Sequence, residues 1–283
     1  MTMMLGMLLL SLAQPVDDAA ASSAAPINIV IVLADDLGYG DPGCYNDQSK
    51  IPTPNIDRLA AEGLRFTDAH TPSSVCSPTR YGFLTGRYAW RTRLKRFVLR
   101  PWSLPLIEQD RLTLLAMLQQ HGYHTACIGK WHLGWDWPID ADGHVSDEFD
   151  GVTIAANKRV PLGKRVDFSR PLASGPTSRG FNYYFGDDVP NFPPRCFIEN
   201  DHTVGIPSVD RPKGMFGHDG PTLAGWDLSL VLPTLAQKAA AYIEQRAKHP
   251  EQPFFLYLPL TAPHTPIAPS PHFAGKSEAG IYG

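Results

Sequence analysis

The stretch "INIVIVLADD" (27–36) decides the fold of this chain. It is a run of β-branched and aliphatic residues, which is typical of a strand covered on both faces in a parallel sheet. The run ends in two carboxylates, Asp35 and Asp36. The stretch therefore predicts a buried strand with polar groups at its carboxyl end.

A short helix is predicted next along the chain. In "TPNIDRLAAEG" (53–63), Ile56, Leu59 and Ala60 fall on one face at helical spacing, and Gly63 provides a C-terminal stop. The pattern predicts a short helix with one apolar face.

Two further helices, each followed by a strand, continue the α/β rhythm. "TLLAMLQQHG" (113–122) predicts a helix capped by Thr113, and "YHTACIGK" (123–130) predicts the strand after it. "TLAQKAAAYIEQRAKH" (234–249) predicts an amphipathic helix, and "PFFLYLPL" (253–260) predicts a third buried strand. The apolar stripe of the later helix comprises Leu235, Ala239, Tyr242, Ile243 and the stem of Arg246. Together these elements predict an α/β fold with a mostly parallel central sheet sandwiched by helices.

Charge and cysteine content exclude several classes of protein. The formal net charge of −3 gives no basic field for nucleic acid, and the basic patch at 87–100 is local. That patch is interpreted either as a solvated face or as a lining for an anionic ligand. The widely spaced Cys44, Cys76, Cys127 and Cys196 indicate neither a zinc site nor a dense disulfide framework.

The N-terminal segment predicts export. "MTMMLGMLLLSLAQ" (1–14) contains an apolar run shorter than the roughly 20 residues that cross a bilayer, so no stable membrane span is expected. We interpret residues 1–26 as an export signal followed by an Ala/Ser-rich spacer, which implies a periplasmic or extracellular protein.

Polar residues follow each of the three predicted strands. Asp35 and Asp36 end the first, Lys130 and His132 follow the second, and His264 follows the third. In open α/β sheets ligands bind outside the carboxyl ends of strands, so these residues are expected to converge. Taken singly, each has a plainer explanation: a turn for the aspartates, a surface pair for Lys130 and His132, and a rigid loop residue for His264.

Cys76 lies in "SSVCSPTR" (73–80), before a segment that is predicted to stay helical as far as Gly86, so it is expected near a helix N-terminus. It could be a thiolate nucleophile whose pKa is lowered by Arg80, a metal ligand, or a buried structural cysteine. A phosphate-cradling loop of the tyrosine-phosphatase kind is disfavoured, because only three residues separate Cys76 from Arg80 and one of them is Pro78.

Five blocks carry a family resemblance. The sequence C-S-P-T-R (76–80) resembles the C-x-P-x-R signature of the type I sulfatases, and "GYHTACIGKWHLG" (122–134) is similar to their second signature. Three further blocks, "NIVIVLADDLGYGD", "TPNIDRLAAEGLRFTDAH" and "APHTP", occur in the family's order. The chain from 27 to 283 thus resembles an arylsulfatase-like enzyme of the alkaline phosphatase superfamily.

The resemblance implies a site and a mechanism. Cys76 would be oxidised to Cα-formylglycine by a maturation enzyme that reads the Pro and Arg of the motif. Asp35 and Asp36, with an oxygen of the modified Cys76, would bind Ca²⁺, or less readily Mg²⁺. Arg80 would steady the aldehyde hydrate. Lys130 and His264 would bind the sulfate and assist departure of the alcohol, and His132 would help to expel sulfate and regenerate the aldehyde.

The resemblance also implies a domain organisation. Residues 27–283 would be the N-terminal part of the catalytic domain, and 135–225, rich in Pro, Gly, Asp and Asn, a loop-rich substrate excursion. The family's remaining metal ligands and a second lysine have no matching block before Gly283, and the small C-terminal domain is absent. We therefore expect a truncated form that is poorly stable and inactive when expressed alone.

The expected substrate is a sulfated carbohydrate, with simple aryl sulfates accepted as models. "NYYFG" (182–186), Arg179, Arg195 and His202 are predicted to stack on a sugar ring and pair with its anions. Two alternatives stay open: a phosphatase or phosphonate monoester hydrolase of the same superfamily, and a non-catalytic relative that binds sulfated glycans.

Overall fold

The structure is a computed structural model that describes residues 27–139, 143–144 and 161–283. The predicted export signal and spacer (1–26) and part of the predicted excursion lie outside the described residues.

A six-stranded sheet forms the centre of the molecule and confirms the predicted α/β class. Its strands are β1 (Ile29–Asp35), β2 (His124–Ile128), β5 (Tyr183–Gly186), β6 (Ile198–Glu199), β7 (His202–Thr203) and β8 (Phe254–Pro263), while β3 (Pro138–Ile139) and β4 (Gly143–His144) form a separate antiparallel pair. The order across the sheet is β1-β8-β2-β5-β6-β7. The first four strands in that order pair in parallel, and β6 and β7 pair antiparallel.

The N-terminal strand β1 lies at the edge of this sheet. It pairs only with β8 among the described strands, from Ile29 opposite Phe255 to Leu33 opposite Pro259. Val30 and Val32 are 43% and 59% exposed, so the prediction of a strand covered on both faces is wrong for β1. The aliphatic run specifies a strand, but burial of its second face needs a neighbouring element, and no described element covers it.

The register between β1 and β8 changes near their carboxyl ends. Asp35 pairs with Pro263, two residues further along β8 than the pairing at Leu33 and Pro259 would place it. This irregularity brings the end of β1 beside the residue that follows β8.

The described residues include the α-helices α1 (Pro54–Glu62), α2 (Cys76–Thr85), α3 (Leu114–Gln120) and α4 (Val231–Arg246). The predicted cap of α3 is confirmed, because the Thr113 side chain accepts a hydrogen bond from Ala116 N. Helix α2 continues through Gly82 and ends before Gly86, which adopts the left-handed conformation with φ 64°.

Two predicted apolar faces differ from the structure. Helix α1 forms as predicted, but it has no buried residue, and Ile56 and Leu59 of its apolar face are exposed. In α4 the predicted stripe is confirmed except at Ile243, which is 38% exposed. The helical repeat of 3.6 residues places Ile243 beside Tyr242 at the margin of the stripe, while Val231 extends the buried face instead.

The predicted excursion contributes to the sheet itself. Tyr183–Gly186 forms β5, whose residues pair in parallel with Ala126, Cys127 and Ile128 of β2. The prediction of a loop-rich segment that only decorates the site is therefore wrong for these residues. A strand of four residues in a Pro- and Gly-rich segment leaves too little alternation for sequence reasoning to detect.

Two separate apolar clusters pack against the central strands of the sheet. One includes four buried tryptophans, of which Trp102 and Trp137 meet edge to face with ring centroids 5.2 Å apart. The other packs Leu235 and Tyr242 of α4 against Leu256 of β8. Within the described part of the chain, every helix is too short or too polar to cross a bilayer.

Candidate active site

The carboxyl ends of β1 and β8 bring two predicted groups together. Asp35 is buried at the end of β1, and Asp36 follows with φ 62°, a left-handed turn that Asp tolerates better than most residues. Because Asp35 pairs with Pro263, the next residue of the chain, His264, lies beside the aspartates. Its Nε2 is 3.5 Å from Asp36 Oδ2.

Cys76 is the first residue of α2, as the sequence predicted. Its half-buried thiol Sγ lies 3.7 Å from Asp35 Oδ1 and 3.3 Å from Lys130 Nζ. The N-cap residue Val75 has no side-chain acceptor, so no cap competes for the amide groups at this helix end. The thiol thus lies among a carboxylate, an ammonium group and a helix N-terminus.

Two buried cations surround Asp35. Lys130 Nζ donates a hydrogen bond to Asp35 Oδ2, and Arg80 Nη2 lies 3.3 Å from the same oxygen. Arg80 also donates from Nη1 to the Lys130 carbonyl at 2.7 Å, so the two cations are held relative to each other. One helical turn after Cys76, Arg80 thus reaches the same carboxylate as the thiol.

A glycine permits the approach of Lys130 to this cluster. Gly129 has φ 138°, and a Cβ there would lie 2.0 Å from the Pro259 carbonyl oxygen of β8. Lys130 N donates to that same carbonyl at 2.9 Å. Position 129 therefore requires glycine, because any side chain would separate the strands at the point where Lys130 enters the site.

The cations and the thiol set the proton affinities of the site. Burial by itself would raise the pKa of Asp35, but the charges of Lys130 and Arg80 outweigh it and hold that pKa below its ordinary value. The hydrogen bond to the Cys76 thiol raises the pKa of His264, although burial opposes the shift. Asp35 is therefore an anion at neutral pH, and His264 is poised to carry a proton.

His132 lies apart from the other predicted residues. Its buried ring makes its hydrogen bond through Nε2 to the Leu99 carbonyl at 3.0 Å, and no described residue bonds to Nδ1. Burial, reinforced by the charge of Lys130, holds the pKa of His132 well below its ordinary value, so the ring is neutral. The structure thus brings together Asp35, Asp36, Cys76, Arg80, Lys130 and His264, and places His132 behind them.

The cluster offers donors for a divalent cation. Single ligand atoms of Asp35, Asp36 and Cys76 all lie within 4.8 Å of one another. They line a cavity of about 240 Å³. Two carboxylates suit a hard cation such as Ca²⁺, whereas a thiolate is a soft ligand that does not. The donor set therefore fits Ca²⁺ once an oxygen replaces the sulfur of Cys76.

Sequence reasoning missed a second aspartate pair. Asp187 and Asp188 directly follow β5, are buried, and lie near the Lys130–His132 segment: Asp188 Oδ1 accepts from His132 N at 3.1 Å. Burial raises the pKa of Asp187 to about 7 and that of Asp188 to about 6. The signal was present, because the pair repeats the strand-then-Asp-Asp pattern of 27–36, but β5 had not been predicted.

The residues predicted to contact a sugar are mostly unavailable. Tyr184 and Arg195 are fully buried, Arg179 is nearly so, and the Tyr183 hydroxyl donates to Glu199 Oε1 at 2.6 Å. Of the predicted set only Asn182 and His202 are exposed; Asn182 Oδ1 accepts a hydrogen bond from Thr125 N at 2.9 Å, and His202 pairs with Asp201. The predicted sugar surface at 182–186 is therefore wrong, because these aromatics are the side chains of a sheet strand.

A larger cavity lies elsewhere. A groove of about 850 Å³ separates the start of α4 from the segment after β8, and its lining is predominantly apolar. It contains neither Cys76 nor the cations around Asp35. Volume alone would place the chemistry in this groove, whereas the convergent charged groups place it at the smaller cavity beside Cys76.

Comparisons with known proteins identify the family of the chain. The sequence pattern of the sulfatase family matches residues 27–281. An N-acetylgalactosamine-6-O-sulfatase from Bacteroides thetaiotaomicron is 31% identical, over 94% of this chain and 53% of the relative. Arylsulfatase A from Bos taurus is 32% identical, over 94% of this chain and 46% of the relative. The chain spans about half the length of the curated relatives it matches.

Two solved structures that are similar to this chain are also sulfatases. A sulfatase structure from work on glycosaminoglycan metabolism by Bacteroides thetaiotaomicron superposes with a TM-score of 0.71 at 30% identity, covering 92% of this chain and 56% of that one. A sulfatase from Pseudoalteromonas superposes with a TM-score of 0.59 at 25% identity, covering 90% of this chain and 47% of that one.

Proposed function

The chain belongs to the sulfatase family, and from this premise we propose that the protein hydrolyses sulfate monoesters to an alcohol and inorganic sulfate. The observation that carries the proposal is the position of Cys76, the cysteine of C-S-P-T-R, within hydrogen-bonding reach of Lys130, Asp35 and His264. This arrangement places a nucleophile position among one anion and several cationic or protonatable groups.

We propose that Cys76 is converted to formylglycine by a maturation enzyme. Its hydrated aldehyde would supply a nucleophilic oxygen and a second hydroxyl that serine lacks. Cys76 starts α2 and is half-buried, so the motif is not sealed in the core of the described structure. The conversion also replaces the soft sulfur by an oxygen, which suits the neighbouring carboxylates as a ligand set for Ca²⁺.

Asp35, Asp36 and the modified Cys76 would hold the divalent ion, with Mg²⁺ as the less suitable choice. When bound, it would supply positive charge to the sulfate oxygens and to the nucleophile. Asp35 is suited to this role because Lys130 and Arg80 keep it ionised.

The remaining side chains would bind the sulfate and move protons. Lys130 is buried and lies 3.3 Å from the Cys76 sulfur, so it would neutralise sulfate charge next to the nucleophile. Arg80 fixes Lys130 through its carbonyl and steadies Asp35. His264, whose Nε2 lies 3.5 Å from Asp36 Oδ2, would donate a proton to the leaving alcohol. His132, buried and neutral, would accept a proton when sulfate is released.

A sulfated carbohydrate is the substrate that we propose. Support comes from the names of similar proteins, which include an N-acetylgalactosamine-6-O-sulfatase, and from a structure solved in work on glycosaminoglycan metabolism. Simple aryl sulfates would serve as model substrates, as the similarity to arylsulfatase A suggests. Export to the periplasm or cell exterior, predicted from residues 1–14, is part of the same proposal, because polymeric sulfated sugars lie outside the cell.

The first experiment is the mass of the peptide that carries Cys76, after production with a formylglycine-generating enzyme and without alkylation. Conversion of thiol to aldehyde lowers the mass by about 18 Da, outside the usual ladder of cysteine oxidation. The matched control is Cys76→Ser, which cannot be converted by the same chemistry.

Turnover separates the alternative activities. We expect sulfate release from sulfated sugars and from an aryl sulfate to exceed phosphate release from the matching aryl phosphate. Faster phosphate release would favour a phosphatase or phosphonate hydrolase. An unmodified Cys76 with retained affinity for a sulfated sugar would instead favour a non-catalytic binding protein.

A further inference from the structure

His132 is held in an unusual way. Its ring Nε2 lies 3.0 Å from the Leu99 carbonyl oxygen, which can only accept a hydrogen bond. Nε2 therefore carries the proton, and Nδ1 is left as the basic nitrogen, with no hydrogen bond from any described residue. Phe192 meets the ring edge to face at 5.7 Å, which restricts its rotation.

We propose that Ser77 and Asp188 are positioning residues that hold His132 in the tautomer protonated on Nε2, so that Nδ1 can accept a proton. The proposal rests on the proposed function, in which His132 takes up a proton when sulfate is released. It assigns a role to two side chains that do not themselves contact the sulfate ester.

Ser77 acts on the ring through Leu99. It follows Cys76 in the first turn of α2, is completely buried, and its Oγ accepts a hydrogen bond from Leu99 N at 3.2 Å. The backbone of Leu99 is thereby fixed at its N–H by Ser77 while its carbonyl receives the His132 proton. One side chain next to the nucleophile position thus fixes the acceptor that selects the tautomer.

Asp188 acts on the backbone of His132. His132 has φ 52°, a left-handed conformation that is unfavourable for a residue with a side chain. Asp188 Oδ1 accepts from His132 N at 3.1 Å and from Trp135 Nε1 at 3.2 Å, which ties the turn together. Without this anchor, relaxation of the turn would carry the ring away from the Leu99 carbonyl.

The test is the tautomer of His132, measured by NMR on protein with isotope-labelled histidine. We expect the wild-type ring to be protonated on Nε2 alone. Ser77→Ala should produce a mixture of tautomers, and Ser77→Thr, which keeps a hydroxyl, should restore the single form. Asp188→Ala should also mix the tautomers, whereas Asp188→Asn, which keeps a carbonyl acceptor, should preserve the wild-type form.

The matched control is Thr92→Val. Thr92 is also buried and its Oγ1 accepts from a backbone N–H, that of Leu94 at 3.1 Å, without any bond to Leu99 or His132. It should lose stability but keep the single tautomer. If Ser77→Ala also keeps the single tautomer, or if the wild-type ring is protonated on Nδ1, the proposal is wrong. The measurement on the wild type tests the proposal even where a variant does not fold.

The measurement needs no turnover, so it is independent of the proposed function. A single Nε2-protonated tautomer in a protein that hydrolyses no sulfate ester would sustain the positioning role and reject the activity. Where turnover is observed, Ser77→Ala should lower kcat and KM together by about tenfold and leave kcat/KM unchanged, because the release of sulfate is impaired and not the departure of the alcohol before it.

Discussion

Two aspartate pairs follow two strands of the same sheet and differ in their surroundings. Asp35 and Asp36 come at the end of β1, and Asp187 and Asp188 follow β5. The positive charges of Lys130 and Arg80 lie close to Asp35 and lower its pKa, although burial opposes the shift. Asp187 has no ion pair or hydrogen bond to its carboxylate from any described residue, and burial raises its pKa to about 7.

The difference shows that position at a strand end does not determine the chemistry of a carboxylate. Both pairs stand where an α/β sheet presents ligand-binding groups. Only the first has cations close enough to keep it ionised, and only the first lies beside Cys76. The second pair supports the site from behind, through the contact of Asp188 with His132.

The largest effect is expected from Asp35→Asn. The substitution leaves Lys130 and Arg80 buried without their anion, which should lower the free energy of unfolding by about 3–5 kcal/mol. Urea unfolding at neutral pH measures the loss. A loss below about 1 kcal/mol, the size of an exposed ion pair, would contradict the buried network described here.

Asp187→Asn should change the pH dependence of stability. The pKa of Asp187 is about 7 in the folded protein against 3.8 for a free side chain, so the folded state holds a proton that the unfolded state has lost. Its contribution is complete below about pH 4 and disappears as the pH rises through about 7. Between pH 5 and pH 8 the stability of the wild type should fall by about 2 kcal/mol relative to the variant.

Asp188 provides the control for that measurement. The pKa of Asp188 is raised only to about 6, and its carboxylate accepts two hydrogen bonds. Asp188→Asn should therefore flatten the pH dependence of stability over a lower pH range than Asp187→Asn does. Identical profiles for the wild type and Asp187→Asn would show that Asp187 is solvated or paired, and would remove the contrast between the two aspartate pairs.

Asp36→Asn should have the smallest effect on stability. Its side chain is 53% exposed and its nearest charged partner is His264 at 3.5 Å, so the free energy of unfolding should change by at most about 0.5 kcal/mol. Binding of Ca²⁺, followed by calorimetry on formylglycine-containing protein, should nevertheless weaken at least tenfold. Unchanged affinity would exclude Asp36 as a ligand. Asp41→Asn is the matched control, because Asp41 is a half-buried carboxylate in the turn nearby that accepts from Gly38 N and lies outside the Asp35, Asp36 and Cys76 cluster.

The sequence was sufficient for most of the site. Runs of aliphatic residues located β1 and β8, the cap and stop residues located α3 and α2, and the rule that strand ends converge brought together Asp35, Lys130 and His264. These predictions succeeded because each depends on local patterns or on a general property of parallel sheets.

The failures have physical causes. An aliphatic run specifies a strand but carries no information on whether a neighbour covers it, so the exposed face of β1 was missed. Tyr183 and Tyr184 have the composition of a sugar-binding surface, yet the same aromatics fill a sheet strand, and four residues are too few to reveal its period. The left-handed turn at His132 depends on Asp188, more than fifty residues away, and has no local sequence signal.

Because the pairing between β1 and β8 is irregular, the number of residues near the end of β8 determines where His264 lies. From Leu33 to Asp35, β1 advances two residues while β8 advances four, from Pro259 to Pro263. Successive side chains of a strand point to opposite faces, so removing one residue from Leu260–Ala262 would turn His264 away from Asp36 and Cys76 even if every remaining residue were unchanged. Substitutions there would adjust packing, whereas a single deletion would dismantle the site.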